Sequence, residues 1–313
     1  MSLDRLIRAI VDTQNPTVAG LDPKLSFIPE FIKQEAFDKY GKTLEGAADA
    51  LLTYNKGLID ALCDIVPAVK PQCAYYEMYG WPGVRALYET IQYAKEKGFY
   101  VITDGKRNDI GTTMEAYAAA HLGSTDVDGV HLKPFGADAL TVNGYLGFDG
   151  IKPLLATCQS FDAGIFVLVK TSNPSSGELQ DIPFEDGRPL YAAMGALCES
   201  WGEALPGKYG YSGVGAVIGA TYPRQLGEMR AALGQTFFLV PGYGAQGGGV
   251  QDVAPAFDKN GLGAVINSSR AILRAWQKEG AEPEAYAEAA RREALRMREE
   301  LRLELGEIKL TID

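Results

Sequence analysis

A chain of 313 residues with 46% hydrophobic and 22% charged residues can bury a large core, as one large α/β domain or as two smaller ones. Its formal net charge of -10 and pI near 4.9 exclude the broad basic surface that nucleic acid or an anionic membrane requires. Any phosphate it binds must therefore be held by a local arrangement.

The opening MSLDRLIRAIVD has an interrupted apolar pattern and lacks the long apolar region of a secretory leader. No apolar run approaches the roughly 20 residues that span a bilayer. Cys63, Cys73, Cys158 and Cys198 are scattered without a CxxC pair, and His121 and His131 are the only histidines. That inventory argues against a zinc site and fits the reduced thiols of a cytoplasmic protein.

Eight strand-like apolar runs follow in order: TVAGLD (17–22), PAVKPQ (67–72), FYVITD (99–104), DALTVN (138–143), GIFVLVK (164–170), GVGAVIGA (213–220), TFFLVPG (236–242) and GAVINS (263–268). Between most of them lie segments of helical period. TLEGAADALLTYNKGLIDALCDIV follows the first strand, and PGVRALYETIQYAKEKG, with Pro82 in a first turn and Gly98 just past the end, follows the second. Continuous apolar strands alternating with helices indicate a parallel sheet covered on both faces. Eight such units predict a single-domain (β/α)8 TIM barrel over 1–313; an open doubly wound sheet would often carry GxGxxG after its first strand, and none stands there.

Two stretches fit the barrel less directly. Residues 124–137, STDVDGVHLKPFGA, read as an insertion, and the tail 283–313 as a charged helical extension packed on or flanking the barrel through Ala and Leu positions. Thr112 and Glu115 have the spacing of a capping box at the start of a helix, and Asn143 reads as a turn residue.

Catalytic groups in such barrels stand at the C-terminal ends of the strands. The polar residues there are Asp22, Lys70, Asp104 with Lys106 and Asp109, Asn143, Ser172 with Asn173, the loop GYGAQGGG (242–249), and Ser268, Ser269 and Arg270. Asp22 before Pro23 reads equally as a turn residue or a functional one. Lys70 has no acid beside it in sequence, which favours contact with a ligand. The glycine-rich loop after the seventh strand, with Arg270 after the eighth, has the placement of a phosphate site.

The stretch YVITDGKRNDIGTT (100–113) concentrates the chemistry. On a strand Asp104 and Lys106 share a face, with Asp109 a few residues on. Flanking carboxylates favour the ammonium form of Lys106, which suits a proton donor and not an imine-forming lysine.

These residues resemble those of the orotidine 5′-phosphate decarboxylase family, in its longer bacterial form. DGKRNDIGTT is similar to that family's Asp-x-Lys-x-x-Asp-Ile-x-x-Thr signature, and LDP (21–23), VKP (69–71), VKTSNP (169–174), PGYGAQGG (241–248) and NSSRAI (267–272) fall in the family's order. The resemblance implies cofactor-free conversion of orotidine 5′-phosphate to uridine 5′-phosphate in pyrimidine biosynthesis. It implies Asp104 against the departing carboxylate and Lys106 as the proton donor. It further implies a homodimer in which Asp109, Ile110 and Thr113 enter the partner's site. Asp22 and Lys70 would contact ribose hydroxyls, Ser172 the pyrimidine ring, and Gln246 and Arg270 the 5′-phosphate, with Pro241 bordering the base.

Two other readings compete. Related sugar-phosphate decarboxylases and hexulose-phosphate synthases use Mg2+ held by a carboxylate at the end of the second strand, where this chain has Lys70, which repels a cation. A nucleotide-binding protein without catalysis would have no need of a carboxylate beside an anionic ligand. Arg107 is assigned no part in the mechanism and reads as a surface or interface pair.

Overall fold

The computed structural model describes residues 2–243 and 249–310. Its strands are β1 (Thr17–Leu21), β2 (Ala68–Pro71), β3 (Tyr100–Arg107), β4 (Thr125–Val127), β5 (Val130–Leu132), β6 (Ala139–Val142), β7 (Gly164–Lys170), β8 (Val214–Ile218), β9 (Phe238–Pro241) and β10 (Ala264–Ser268). Eight of them close a parallel barrel in the order β1-β10-β9-β8-β7-β6-β3-β2, so all eight expected strands form and the (β/α)8 expectation holds.

The apolar runs are continuous because each strand is buried on both faces. Val18, Ala68, Ile102, Ala139, Phe166, Val217, Leu239 and Val265 point into the barrel and form one cluster; their neighbours Ala19, Val69, Val101, Leu140, Ala216, Phe238 and Ile266 belong to a second cluster beneath the helices. The interior cluster is completed by the helix Ser2–Thr13. Its Leu3, Leu6, Ile7 and Ile10 lie on one face at helical spacing and plug the N-terminal mouth. The interrupted apolar pattern at the chain's start is thus the buried stripe of a stopper helix.

The first long helical segment becomes Leu44–Leu62, capped by Thr43, whose hydroxyl accepts from the Gly46 N–H at 3.2 Å. The second becomes Gly80–Glu96, with Pro82 in its first turn and Gly98 at φ +88 just beyond its end. The capping box at Thr112 does not form. The helix Gly111–His121 begins two residues before the box requires, with Ile110 at its N-cap, so Thr112 is already inside the first turn. Its entry is fixed by Asp109, whose carboxylate accepts from the Ile110 N–H at 2.8 Å.

The stretch 124–137 contributes an antiparallel hairpin, β4 with β5, whose Val127, Val130 and Leu132 are exposed. Asn143 makes the expected turn by accepting from the Tyr145 N–H at 2.9 Å. The tail helix Tyr286–Leu305 buries Ala289, Ala290, Ala294, Met297 and Leu301 and packs on Leu44–Leu62, with Tyr286 stacked on Tyr54 at 5.1 Å. Arg291 clamps Asp64 at its base. The extension is therefore a packed element of the outer helical layer. All four cysteines are free, and among the described residues no helix is long and apolar enough to cross a membrane.

Candidate active site

The C-terminal ends of the barrel strands open into two adjoining cavities. The first, of about 470 Å³, has Lys70, Asp104, Lys106 and Thr141 on one side and Leu168, Val217, Leu239 and Pro241 among its apolar walls. The second, of about 360 Å³, is lined by polar groups that include Asp22, Lys24, Asn267, Ser269 and Arg270. Ser172 lines both. A flat apolar moiety fits the first chamber and a hydroxylated anion the second.

Asp104 is the centre of the first chamber. Its Oδ2 meets Lys70 Nζ at 2.6 Å, and its Oδ1 meets Lys106 Nζ at 2.6 Å and accepts from the Thr141 hydroxyl at 2.8 Å. Burial opposes ionisation of Asp104, but the attraction of Lys70 and Lys106 outweighs it and holds the carboxyl well below the usual range. For Lys70 burial works against the charge, and Asp104 and Asp22 outweigh it, so its pKa is raised. The acid that Lys70 lacks in sequence comes from the neighbouring strand, because β2 and β3 run side by side in register. Lys70 is thus both an ion-pair partner and a wall of the cavity.

Lys106 does reach Asp104, though not through a regular pleat. The pairing of β3 with β6 shifts register between Thr103 and Arg107, and Lys106 has φ +47 in the left-handed region. Such a conformation is uncommon outside glycine and is retained where its surroundings enforce it. The Thr141 hydroxyl is part of that enforcement, accepting from the Lys106 N–H at 3.0 Å. While Lys70 and Asp104 are 6% and 8% exposed at their side chains, Lys106 is 46% exposed, so one cation is locked in the wall and the other faces the opening.

The remaining expected residues divide. Ser172 and Pro241 line the first chamber, and Asp22 and Arg270 the second. Asp22 Oδ1 is buried without a hydrogen-bond partner, a cost that a ligand hydroxyl would remove. The Asp109 carboxylate stands two residues beyond the end of β3 and accepts from the Ile110 N–H at 2.8 Å. Ile110 is 51% exposed and Thr113 is exposed too, so this edge is presented outward. Gln246 and most of the glycine-rich loop lie outside the described residues. Arg107 pairs with Glu77 at 2.5 Å, as a surface pair beside the site.

Sequence reasoning missed Thr141, Lys24 and Asn267. Thr141 could have been found by alternation, since it is the polar member of an otherwise apolar strand. Lys24 lies beyond a strand end in an unremarked turn, and Asn267 was read as part of an apolar run. Among the described residues, no three His, Cys, Asp or Glu side chains are grouped so as to hold a metal ion.

Comparison with known proteins agrees with this geometry. Residues 47–286 match the family model described as Orotidine 5'-phosphate decarboxylase / HUMPS family. The chain is 44% identical over 302 residues to the orotidine 5'-phosphate decarboxylase of Rhodopirellula baltica, covering 95% of this chain and 98% of that one. It is 42% identical over 274 residues to the enzyme of the same name from Caldicellulosiruptor bescii, covering 88% and 90%. Among solved structures, the OMP decarboxylase of Leishmania donovani superposes with a TM-score of 0.71 at 30% identity, covering 95% of this chain and 98% of that one. The enzyme of Methanocaldococcus jannaschii, solved with the inhibitor BMP, shares the fold at a TM-score of 0.59 and 18% identity, covering 92% and 98%. With a family match over most of its length and close relatives end to end, the chain belongs to the orotidine 5'-phosphate decarboxylase / HUMPS family.

Proposed function

We propose that the protein is a carboxy-lyase that converts orotidine 5′-phosphate to uridine 5′-phosphate and CO2, using its own side chains and no cofactor. The observation that carries this reading is Asp104, a buried carboxylate gripped by Lys70 and Lys106 at the wall of a chamber whose other walls are largely apolar. Related proteins 37–44% identical carry the name of this activity over nearly their whole length.

The pyrimidine occupies the first chamber beside Ser172 and Pro241, and the phosphate lies in the second beside Arg270. Asp22 and Lys70 hold the ribose hydroxyls between them. Gln246 and its loop add to the phosphate contacts. As the carbon–carbon bond breaks, CO2 departs and the electron pair remains on the ring carbon. Lys106 Nζ, the exposed cation of the pair, stabilises that charge and delivers a proton to it; the amine then regains a proton from water. Asp104 stands where the substrate carboxylate must sit, which favours loss of that charge. Lys70, which takes no part in the proton transfer, keeps Asp104 ionised throughout.

Asp109, Ile110 and Thr113 complete the partner's chamber in a homodimer. The exposure of Ile110 on the loop leaving β3 and of Thr113 in the first turn of the helix that follows supports this arrangement. Binding energy gathered at the phosphate is used to assemble the chamber around the reacting carbon.

The test is the loss of orotate absorbance by purified protein given orotidine 5′-phosphate, with and without EDTA. Rapid chelator-insensitive turnover is expected. Failure of folded protein to act refutes the reading, and turnover that EDTA abolishes assigns the barrel to the metal-dependent branch. Lys106→Ala should abolish turnover while uridine 5′-phosphate still binds through its phosphate; wild-type rates in that variant refute the role of Lys106.

A further inference from the structure

Beyond β7 the chain does something the reaction as described does not explain. Lys170, the last residue of β7, is completely buried, yet its Nζ lies 2.6 Å from Asp181 Oδ1. The ammonium is also 4.6 Å from the ring centre of Tyr222 and 5.6 Å from that of Tyr191. A buried cation without a partner is costly, so this pair binds the segment carrying Asp181 to the end of the strand. A register shift against β8 between Leu168 and Lys170 lies beside this pair.

The residue next to each member repeats the grip. Gln180 Oε1 accepts from the Thr171 N–H at 2.9 Å, and Gln180 Nε2 donates to the Thr171 hydroxyl at 2.7 Å. Two consecutive residues, Gln180 and Asp181, thus clasp two consecutive residues, Lys170 and Thr171, and the next residue in the chain is Ser172. Ser172 is also held on its other side. A Cβ placed on Gly219 would lie 2.7 Å from Ser172 Cβ, and the Ser172 carbonyl accepts from Thr221 at 3.2 Å. Ser172 is the residue shared by both chambers, and Gln180 itself lines the first.

We propose that Lys170, Gln180 and Asp181 are positioning residues that fix Ser172 against the base of a bound nucleotide, setting recognition of the pyrimidine independently of the phosphate. This rests on the decarboxylase reading for the identity of the occupant. Gln180 and Asp181 are bonded to Thr171 and Lys170, so their loss displaces Ser172 where it meets the base, while Arg270, which stands after β10 and not on this segment, keeps its place beside the phosphate.

The experiment measures dissociation constants of uridine 5′-phosphate and ribose 5-phosphate by calorimetry, with kcat and KM for orotidine 5′-phosphate, in Gln180→Ala, Asp181→Asn and Asp181→Glu. Gln180→Ala leaves no buried charge unpaired and keeps the test open if Asp181→Asn folds poorly. Gln180→Ala and Asp181→Asn should weaken uridine 5′-phosphate about tenfold, the scale of one or two lost hydrogen bonds, and ribose 5-phosphate less than about twofold. Asp181→Glu, which keeps the charge, should recover most of the loss. Equal weakening of both ligands, or of neither, overturns the clasp while the decarboxylase reading stands. A wild-type protein that neither binds uridine 5′-phosphate nor turns over its precursor overturns both.

Discussion

Replacing Lys70 by methionine removes one of the two cations on Asp104 while nearly preserving the side chain's length. Lys70 and Asp104 are less than a tenth exposed and 2.6 Å apart, so the substitution leaves a buried carboxylate short of a partner. Removing one member of a buried pair costs about 3–5 kcal/mol. Lys106 and Thr141 remain on the other oxygen, and Lys106 is half in solvent, which places the expected loss near the lower end, about 3 kcal/mol. Replacing Asp104 by leucine as well removes the stranded charge, so the double variant should recover about 2 kcal/mol relative to the sum of the single changes. Urea unfolding at neutral pH with matched m-values reads both quantities. The sign of the pH dependence follows from the depressed Asp104 carboxyl: its stabilisation is present above the unfolded value of about 4 and is lost as pH falls through the lower folded one. In Lys70→Met the folded value lies closer to the unfolded one, so that acid loss should be smaller and complete at higher pH. Single changes that add to within about 0.5 kcal/mol would show that Lys70 and Asp104 are not energetically coupled.

His121 is buried against Phe135, and burial followed by the charge of Arg107 pushes its pKa down to about 4. Its neutral form is the one the fold accepts, so stability present above about pH 6.5 should fall by about 3 kcal/mol as pH drops to 4, and His121→Phe should flatten that slope in denaturation curves. Gly57→Ala would place a Cβ 1.8 Å from the Tyr286 hydroxyl, whose ring is already stacked on Tyr54. It should cost about 1–3 kcal/mol and loosen the helix Tyr286–Leu305, read by hydrogen exchange. Ile110→Asp charges an exposed edge that the proposed dimer buries; sedimentation should show a shift toward monomer, with kcat/KM falling in parallel.

How the sequence was read, and where it stopped being readable, follows from the range of the interactions involved. Eight strands and the long helices were legible because burial on both faces writes itself as continuous apolar runs, and helical burial as a 3.6-residue period. The strand-end polar set was legible because a (β/α)8 barrel gathers the same ends of all its strands at one mouth. The stopper role of Ser2–Thr13 was not, since an amphipathic stripe shows that a face is covered without showing by what. Thr112 failed as a cap because Asp109 sets the helix entry two residues earlier, a choice the capping pattern cannot express.

The contents of the site divide in the same way. Asp104 and Lys106 are two residues apart, so their proximity was open to local argument, but the left-handed turn at Lys106 depends on Thr141 from β6. Lys70 with Asp104 and Lys170 with Asp181 are pairs whose members stand 34 and 11 residues apart in the chain. Composition, period and strand-end chemistry are local properties, and the sequence by itself determined the architecture, the mouth that carries the chemistry and the residue types found there. Which carboxylate neutralises which ammonium depends on strand register and loop return, and only the tertiary structure decided it, because a buried charge is satisfied by whatever lies within about 4 Å in space, however distant along the chain.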